Sequence, residues 1–208
     1  MAGRLRRQTE AMKQPVTREL FGYWNALRGS RLAPMRDDID PGAIRSHLAD
    51  IFLLTFDVAQ AHPFRLAGSS VCELFGRELK HNAFASLWSP VSKPAIATLL
   101  HDISEDKAGA VAHVVGHNGE NQTLDLEMIL LPLIDRTEHT ARLLGGLAPF
   151  GAPYWIGSRA IAAIDLAEVR YVGPTVDPAR PPKLIAGHDN PFRTPAFTIY
   201  PAHHRPTI

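Results

Sequence analysis

The sequence lacks most of the features that would place it in a specialised class of protein. It has one cysteine, Cys72, among 208 residues, which excludes an internal disulfide framework and is typical of a reducing compartment. It has no run of 18 or more apolar residues, so no transmembrane helix is predicted. The basic N-terminus is not followed by an apolar core and does not match a secretory signal. We therefore expect a cytoplasmic protein with no membrane contact.

Net charge and catalytic motifs are also scarce. The net charge of +1 gives no overall attraction to nucleic acid or to an anionic membrane. The sequence contains no dinucleotide fingerprint, phosphate-binding loop, serine-hydrolase elbow or zinc-ligand spacing, so it predicts no catalytic residue and no metal ligand. Residues 1–16 are interpreted as a basic flexible tail. Nucleic-acid binding through the four cations of this tail is the least favoured function, because no aromatic residues are interleaved with them. These cations are Arg4, Arg6, Arg7 and Lys13.

The hydrophobic pattern of residues 17–150 predicts a domain of mixed helices and strands. Thr17 can cap an amphipathic helix over residues 18–27, which Gly29 ends. Short helices are expected after Gly68, and a longer one after Pro90. The order predicts an α+β fold, in which a five-stranded antiparallel sheet carries the short helices and the longer helix on one face, preceded by the N-terminal amphipathic helix. The predicted strands span residues 51–58, 64–67, 110–117, 122–131 and 142–149.

Residues 151–208 differ in composition from the rest of the chain, because they hold nine of the seventeen prolines. Residues 159–171 are compatible with either one helix or one strand. Beyond Pro174 we expect an extended arm or a disordered tail. The region is therefore treated as a proline-rich C-terminal extension of the domain.

Bulky apolar side chains are concentrated between residues 64 and 88, where they suggest the wall of a small hydrophobic pocket. Together with neighbouring strand and helix positions they define a candidate ligand-binding pocket. Its residues are Phe64, Leu66, Val71, Leu74, Phe75, Phe84, Trp88, Leu99, Leu124, Leu126 and Met128.

The amphipathic helix at residues 18–27 has a wide apolar face for its length. This face must pack either on the sheet of the same domain or on the same helix of a second subunit. The second alternative predicts a homodimer. The candidate interface residues are Leu20, Phe21, Trp24 and Leu27.

Three runs occur in the expected order, LADIFLLTFDV, then FRLAGSSVCELFGRELKHNAFASLW, then RLLGGLAPF. Together with the order of elements over residues 17–150, they resemble PAS domains, specifically the single-domain PAS proteins common in alphaproteobacteria. The LAG…VCELFGREL portion is the most specific. The resemblance implies a sensory or protein-interaction module, often dimeric, that acts in signalling rather than catalysis. PAS domains carry diverse ligands or none, so the cofactor stays unknown.

The sequence therefore favours a non-enzymatic signalling or sensory domain. It would bind a small apolar ligand, a partner protein or both, and transmit its state through dimer or partner contacts. The alternative is a small α+β cavity enzyme, such as an isomerase or cyclase, with Asp125 or Glu127 as a buried inward carboxylate. Cys72 is interpreted as a small buried hydrophobe rather than a flavin-adduct cysteine. His101 is expected on the side of its helix away from the apolar stripe.

Overall fold

The computed structural model describes residues 8–10, 12–120, 122–135, 142–174, 176 and 183–184. The helices are α1 (Pro15–Arg28), α2 (Ser69–Leu74) and α3 (Lys93–Asp106), with single-turn or irregular 3₁₀ helices at Arg36–Asp38, Pro41–His47 and Phe84–Leu87. The strands are β1 (Ile51–Thr55), β2 (Phe64–Ala67), β3 (Gly109–His117), β4 (Thr123–Leu133), β5 (Arg142–Pro149), β6 (Ala163–Val172) and β7 (Lys183–Leu184).

All seven strands form one antiparallel sheet in the order β2-β1-β5-β4-β3-β6-β7. The α+β fold class is confirmed, but the expectation of five strands was too low. The ambiguous segment at residues 159–171 contains β6, which pairs with β3 along its whole length. Most of the expected tail beyond Pro174 lies outside the described residues, as do residues 1–7.

Helix α1 begins earlier than the sequence pattern predicted. Pro15 occupies its first turn, where a missing N–H does no harm and the fixed φ suits a helix. Thr17 therefore lies inside the helix, and its hydroxyl oxygen lies 2.9 Å from the carbonyl oxygen of Gln14. Gly29, with φ of +57°, ends α1 as expected, because glycine adopts a positive φ without a steric penalty.

The two faces of the sheet bury separate hydrophobic cores. The inner face packs against α2, α3 and the Phe84–Leu87 turn, and we call this the inner core. The outer face packs against α1, and Leu20, Phe21 and Trp24 are the largest side chains that α1 contributes to this outer core. The N-terminal helix and the other helices therefore lie on opposite sides of one sheet.

Strand β6 extends the inner core beyond the predicted sheet. Ile164, Leu166 and Val169 are buried on the inner face, and the Tyr171 hydroxyl donates to Asp102 of α3 at 2.7 Å. The edge of β6 that faces away from β3 is bonded by residues at and before the start of α3. The backbone N–H of Ser89 donates to the Ile164 carbonyl at 3.0 Å, and the Ser92 hydroxyl accepts from the N–H of Leu166 at 3.0 Å.

Candidate functional site

The structure gathers ten of the eleven candidate pocket residues into the inner core. They come from elements far apart in sequence, because α2, α3 and the Phe84–Leu87 turn pack on the inner face of the sheet that contains β2 and β4. The side chains brought together are Phe64, Val71, Leu74, Phe75, Phe84, Trp88, Leu99, Leu124, Leu126 and Met128.

Leu66 is the residue of this set that the structure places elsewhere. The pairing of β2 with β1 shifts register at a bulge. Phe64 lies opposite Leu54, whereas Leu66, two residues later, lies opposite the adjacent Leu53. A bulge adds one residue to one strand and reverses the alternation of faces beyond it. Leu66 is consequently 49% exposed, and the expectation that it lines the inner core was wrong.

The centre of the inner core is filled by the aromatic rings of the chain itself. The Phe84 ring lies 5.8 Å from Phe52, 5.6 Å from Phe64 and 5.6 Å from Trp88, measured between centroids. The edge-to-face geometry of the last two pairs is the arrangement that aromatic quadrupoles favour. We call these four residues the aromatic cluster.

Gly145 of β5 makes this packing possible. A Cβ atom built on Gly145 would lie 2.2 Å from two carbons of the Phe52 ring, far inside van der Waals contact. The ring therefore lies directly on the backbone of the sheet. At this point of the inner core the Phe52 ring occupies the space above the sheet.

Two side-chain nitrogens at this core have no hydrogen-bond partner within the described part of the chain. They are Nε1 of Trp88 and Nδ1 of His62, whose residues are only 2% and 7% exposed. A buried polar group without a partner costs about 1–3 kcal/mol, so such groups are rare in native proteins. Both residues adjoin Phe84, since its N–H donates to the His62 carbonyl at 3.1 Å. Sequence patterning did not single out His62.

Cys72 packs against the inner core from α2 and is partly buried. Its Sγ lies 3.7 Å from Oε1 of Glu78. Burial raises the pKa of the thiol, a hydrogen bond from the Leu79 backbone opposes this, and the negative charge of Glu78 adds to the increase. Cys72 therefore carries a protonated thiol at neutral pH, which agrees with its interpretation as a small packed hydrophobe rather than an activated nucleophile.

The two carboxylates of the enzyme alternative both lie on the outer face. Asp125 is exposed and pairs with Nε2 of His113 at 2.8 Å. Glu127 is buried but accepts hydrogen bonds from the N–H groups of Lys13 and Gln14 at 2.9 and 2.8 Å, and from the Thr17 hydroxyl. Glu127 thus satisfies N–H groups at the start of α1 and faces away from the inner core. The inward carboxylate that the enzyme alternative requires is not supplied by either residue.

The candidate dimer residues also have partners within the chain. Leu20, Phe21 and Trp24 are buried in the outer core, and Nε1 of Trp24 donates to the Pro132 carbonyl at 2.8 Å. Leu27 is the member of this set that stays partly exposed. The apolar face of α1 therefore packs on the sheet of its own domain.

Other polar groups of the domain form peripheral pairs. His117 contacts Asp165 at 2.8 Å, and His101 lies on the exposed side of α3. Among the described residues, no three His, Cys, Asp or Glu side chains converge as a metal site would require. A cleft of about 30 Å³ on the outer face, between Met12, Val111 and Phe150, has room for about one water molecule.

No helix in the described residues has the length and apolar character needed to cross a membrane.

Comparison with known proteins identifies a family. A family model described as a PAS domain matches residues 12–148. A search of curated proteins finds no match. Among solved structures, 43 chains match. One of them comes from work on a flavin analogue and the light-oxygen-voltage domain mechanism. It is 13% identical, with a TM-score of 0.42, and the match covers 54% of this chain and 85% of that one. A fungal light-oxygen-voltage photoreceptor is 14% identical, with coverage of 55% and 94% and a TM-score of 0.40. These likenesses are too distant to transfer a cofactor.

Proposed function

The chain belongs to the PAS domain family, and we propose that it is a non-enzymatic signalling domain that acts through contacts with a partner protein. Membership of this family is what suggests a sensory signalling role. The observation that carries this proposal is the filled inner core. The aromatic cluster occupies the region in which a ligand would otherwise bind, and Gly145 brings the Phe52 ring onto the sheet. A domain packed in this way offers its surface, rather than its interior, for recognition.

The outward position of the two carboxylates also supports a role without catalysis. Glu127 accepts hydrogen bonds from the start of α1, and Asp125 is exposed beside His113. A general acid or base must reach the reacting atoms of a bound substrate, and the outer-face cleft that Glu127 borders has room for only about one water molecule.

The test is whether the wild-type interior accepts a small apolar molecule. We expect indole to leave the thermal unfolding temperature of the wild-type protein unchanged, and native mass spectrometry to give the mass of the protein alone. The Phe84→Ala variant, which opens a cavity in the aromatic cluster, should bind indole and gain stability from it. Phe150→Ala removes a partly exposed ring and serves as the control. Saturable binding by the wild-type protein would contradict the filled-core proposal.

A second candidate function, sensing of a small molecule, is supported by the partnerless nitrogens of Trp88 and His62. A ligand with a hydrogen-bond acceptor could pair with the Trp88 N–H, provided that one ring of the aromatic cluster moves aside. The expected sign is a co-purified small molecule in native mass spectra, whose release lowers the unfolding temperature. Its absence from wild-type protein would remove this candidate.

Homodimerisation is a further part of the proposal. Leu27 is the candidate interface residue that α1 leaves accessible. If the dimer forms through this helix, light scattering should give twice the chain mass for wild-type protein and a reduced mass for Leu27→Asp. Ala26→Asp, at the adjacent exposed position, controls for added charge. A wild-type protein that is monomeric at all accessible concentrations would exclude the dimer.

A further inference from the structure

The turn between β1 and β2 holds His62 in an unusual backbone conformation. Ala61 and His62 both have left-handed backbone angles, with φ of +53° and +59°. The turn is closed by a hydrogen bond of 2.8 Å from the His62 N–H to the Asp57 carbonyl. Left-handed conformations of residues other than glycine are unfavourable and persist only where surrounding contacts hold them. The contacts of this turn therefore matter for its stability.

The His62 side chain is one of those contacts. Its ring lies 4.8 Å from the ring of Phe56, and Nδ1 points into the protein without a partner among the described residues. A neutral imidazole tolerates this apolar setting at a modest cost. An imidazolium carries a full charge and a second N–H, and its burial without a partner costs considerably more.

The same turn holds the Phe84–Leu87 segment in place. The N–H of Phe84 donates to the His62 carbonyl at 3.1 Å, and the N–H of Ala85 donates to the Ala61 carbonyl at 3.4 Å. Phe84 is in turn the centre of the aromatic cluster. The backbone on which His62 sits is thus joined directly to the segment that fills the inner core.

We propose that the Asp57–His62 turn is an acid-sensitive latch, in which protonation drives His62 out of its buried position and frees the Phe84–Leu87 segment. The latch goes beyond the proposed function, in which the domain presents an unchanging surface to a partner protein, because it lets the domain change its conformation with pH. The proton is the signal, His62 is the receptor, and the two hydrogen bonds from Phe84 and Ala85 carry the change to the aromatic cluster.

Few charged groups oppose this response. The pKa of His62 is lowered by burial, and the nearby Asp57 carboxylate raises it in part. Val58, Ala59, Gln60 and Ala61 in the turn carry no ionisable side chain, and neither does any residue of the facing segment 82–88 or Phe56, which follows β1. Asp57 is therefore the charged group that acts on His62 from the elements packed around it.

The direction of the pH effect follows from proton linkage. In the open state His62 has its ordinary pKa of about 6.5, and in the closed state its pKa is lower, so the open state binds more protons. The closed state is fully favoured above pH 6.5. As the pH falls below that value, the equilibrium constant for opening increases by up to about tenfold per pH unit, until the pH reaches the pKa of His62 in the closed state.

Amide hydrogen exchange of Phe84 and Ala85 between pH 7.5 and 5.0 measures this opening, once each rate is divided by the intrinsic rate for that pH. We expect protection of the two amides to fall up to about tenfold per unit below pH 6.5. His62→Asn should abolish the pH dependence, because asparagine accepts a left-handed backbone but does not titrate. His81→Asn is the matched control, since His81 also has a left-handed backbone, with φ of +67°, but is exposed.

Unchanged protection in wild-type protein, or an equal pH dependence in His62→Asn, would overturn the latch. Asp57→Asn gives a second test that retains His62. Because the Asp57 carboxylate raises the pKa of His62 in the closed state, its removal should lower the pH at which the increase in opening levels off, and with it the midpoint of the His62 ring resonances in NMR spectra. If neither moves, or if the ring titrates at its ordinary pKa, His62 is not the receptor.

Discussion

The two faces of the sheet are covered by different kinds of contact. The inner core relies on the shape of apolar groups, with Phe84 at its centre and two polar nitrogens left without partners. The outer core is fixed by directional hydrogen bonds, from the start of α1 to Glu127 and from Trp24 to the Pro132 carbonyl. Apolar contacts allow a segment to slide or rotate, whereas directional bonds specify one position. The start of α1 is therefore held by polar contacts, whereas the centre of the inner core is held by the packing of rings.

The segment before α1 is also held to the sheet by directional hydrogen bonds. The Gln8 side chain donates to the Gly173 carbonyl and accepts from the Gly173 N–H, both at 3.2 Å. It pairs with the end of β6 in the way that a neighbouring strand would. The segment before α1 is thus tied to the sheet at Gly173 and again at Glu127.

The largest expected effect comes from removing the centre of the inner core. Phe84→Ala should lower the free energy of unfolding by about 3–5 kcal/mol, because the cavity cannot be refilled by neighbouring rings that already touch. Urea denaturation measures the change. Phe150→Ala, at a partly exposed ring, should cost less than about 1 kcal/mol. Equal losses in both variants would show that the aromatic cluster does not dominate the inner face.

An intermediate effect is expected when the hydrogen bonds between Glu127 and the start of α1 are removed. Glu127→Ala should cost about 1–3 kcal/mol, because it leaves N–H groups of Lys13 and Gln14 without their acceptor. Exchange of the Gln14 amide should rise at the same time. Asp125→Ala, two residues away on the same face, loses an exposed pair with His113 and should cost less than about 1 kcal/mol. A smaller loss for Glu127→Ala than for Asp125→Ala would reverse the assignment.

The smallest effect is expected at the edge of the sheet. Leu66→Ala should change the free energy of unfolding by less than about 0.5 kcal/mol, since the side chain is half exposed. Leu54→Ala, across the bulge on the neighbouring strand, should cost about 2–5 kcal/mol because Leu54 is fully buried. If Leu66 lined the inner core, both variants would be damaged to a similar degree.

Much of the fold could be predicted from alternation and spacing. The apolar positions of β4 and α3 correctly marked the inner face of the sheet. Alternation could not locate the bulge beside Leu66, because an inserted residue reverses faces without changing composition. It also left β6 unresolved between helix and strand, since its pairing with β3 is a contact between residues distant in sequence.

Candidate site residues were harder to predict where the reason lies in tertiary packing. Asp125 and Glu127 look alike in the sequence, two residues apart on the same face of the strand, yet only Glu127 is covered by α1. His62 has no distinguishing pattern around it. Its burial depends on a left-handed turn and on the facing Phe84 segment, neither of which is encoded by local periodicity. A histidine between a strand end and a Pro-Phe strand start was the available signal.

Gly145 beneath the Phe52 ring has a consequence for how this protein can evolve. The two positions share one volume, so neither can change size alone. A related sequence with alanine or valine at the position of Gly145 should carry a smaller residue at the position of Phe52. The pair therefore predicts coordinated substitution between strands β1 and β5, and a Gly145→Ala variant should recover part of its lost stability when Phe52→Leu is added.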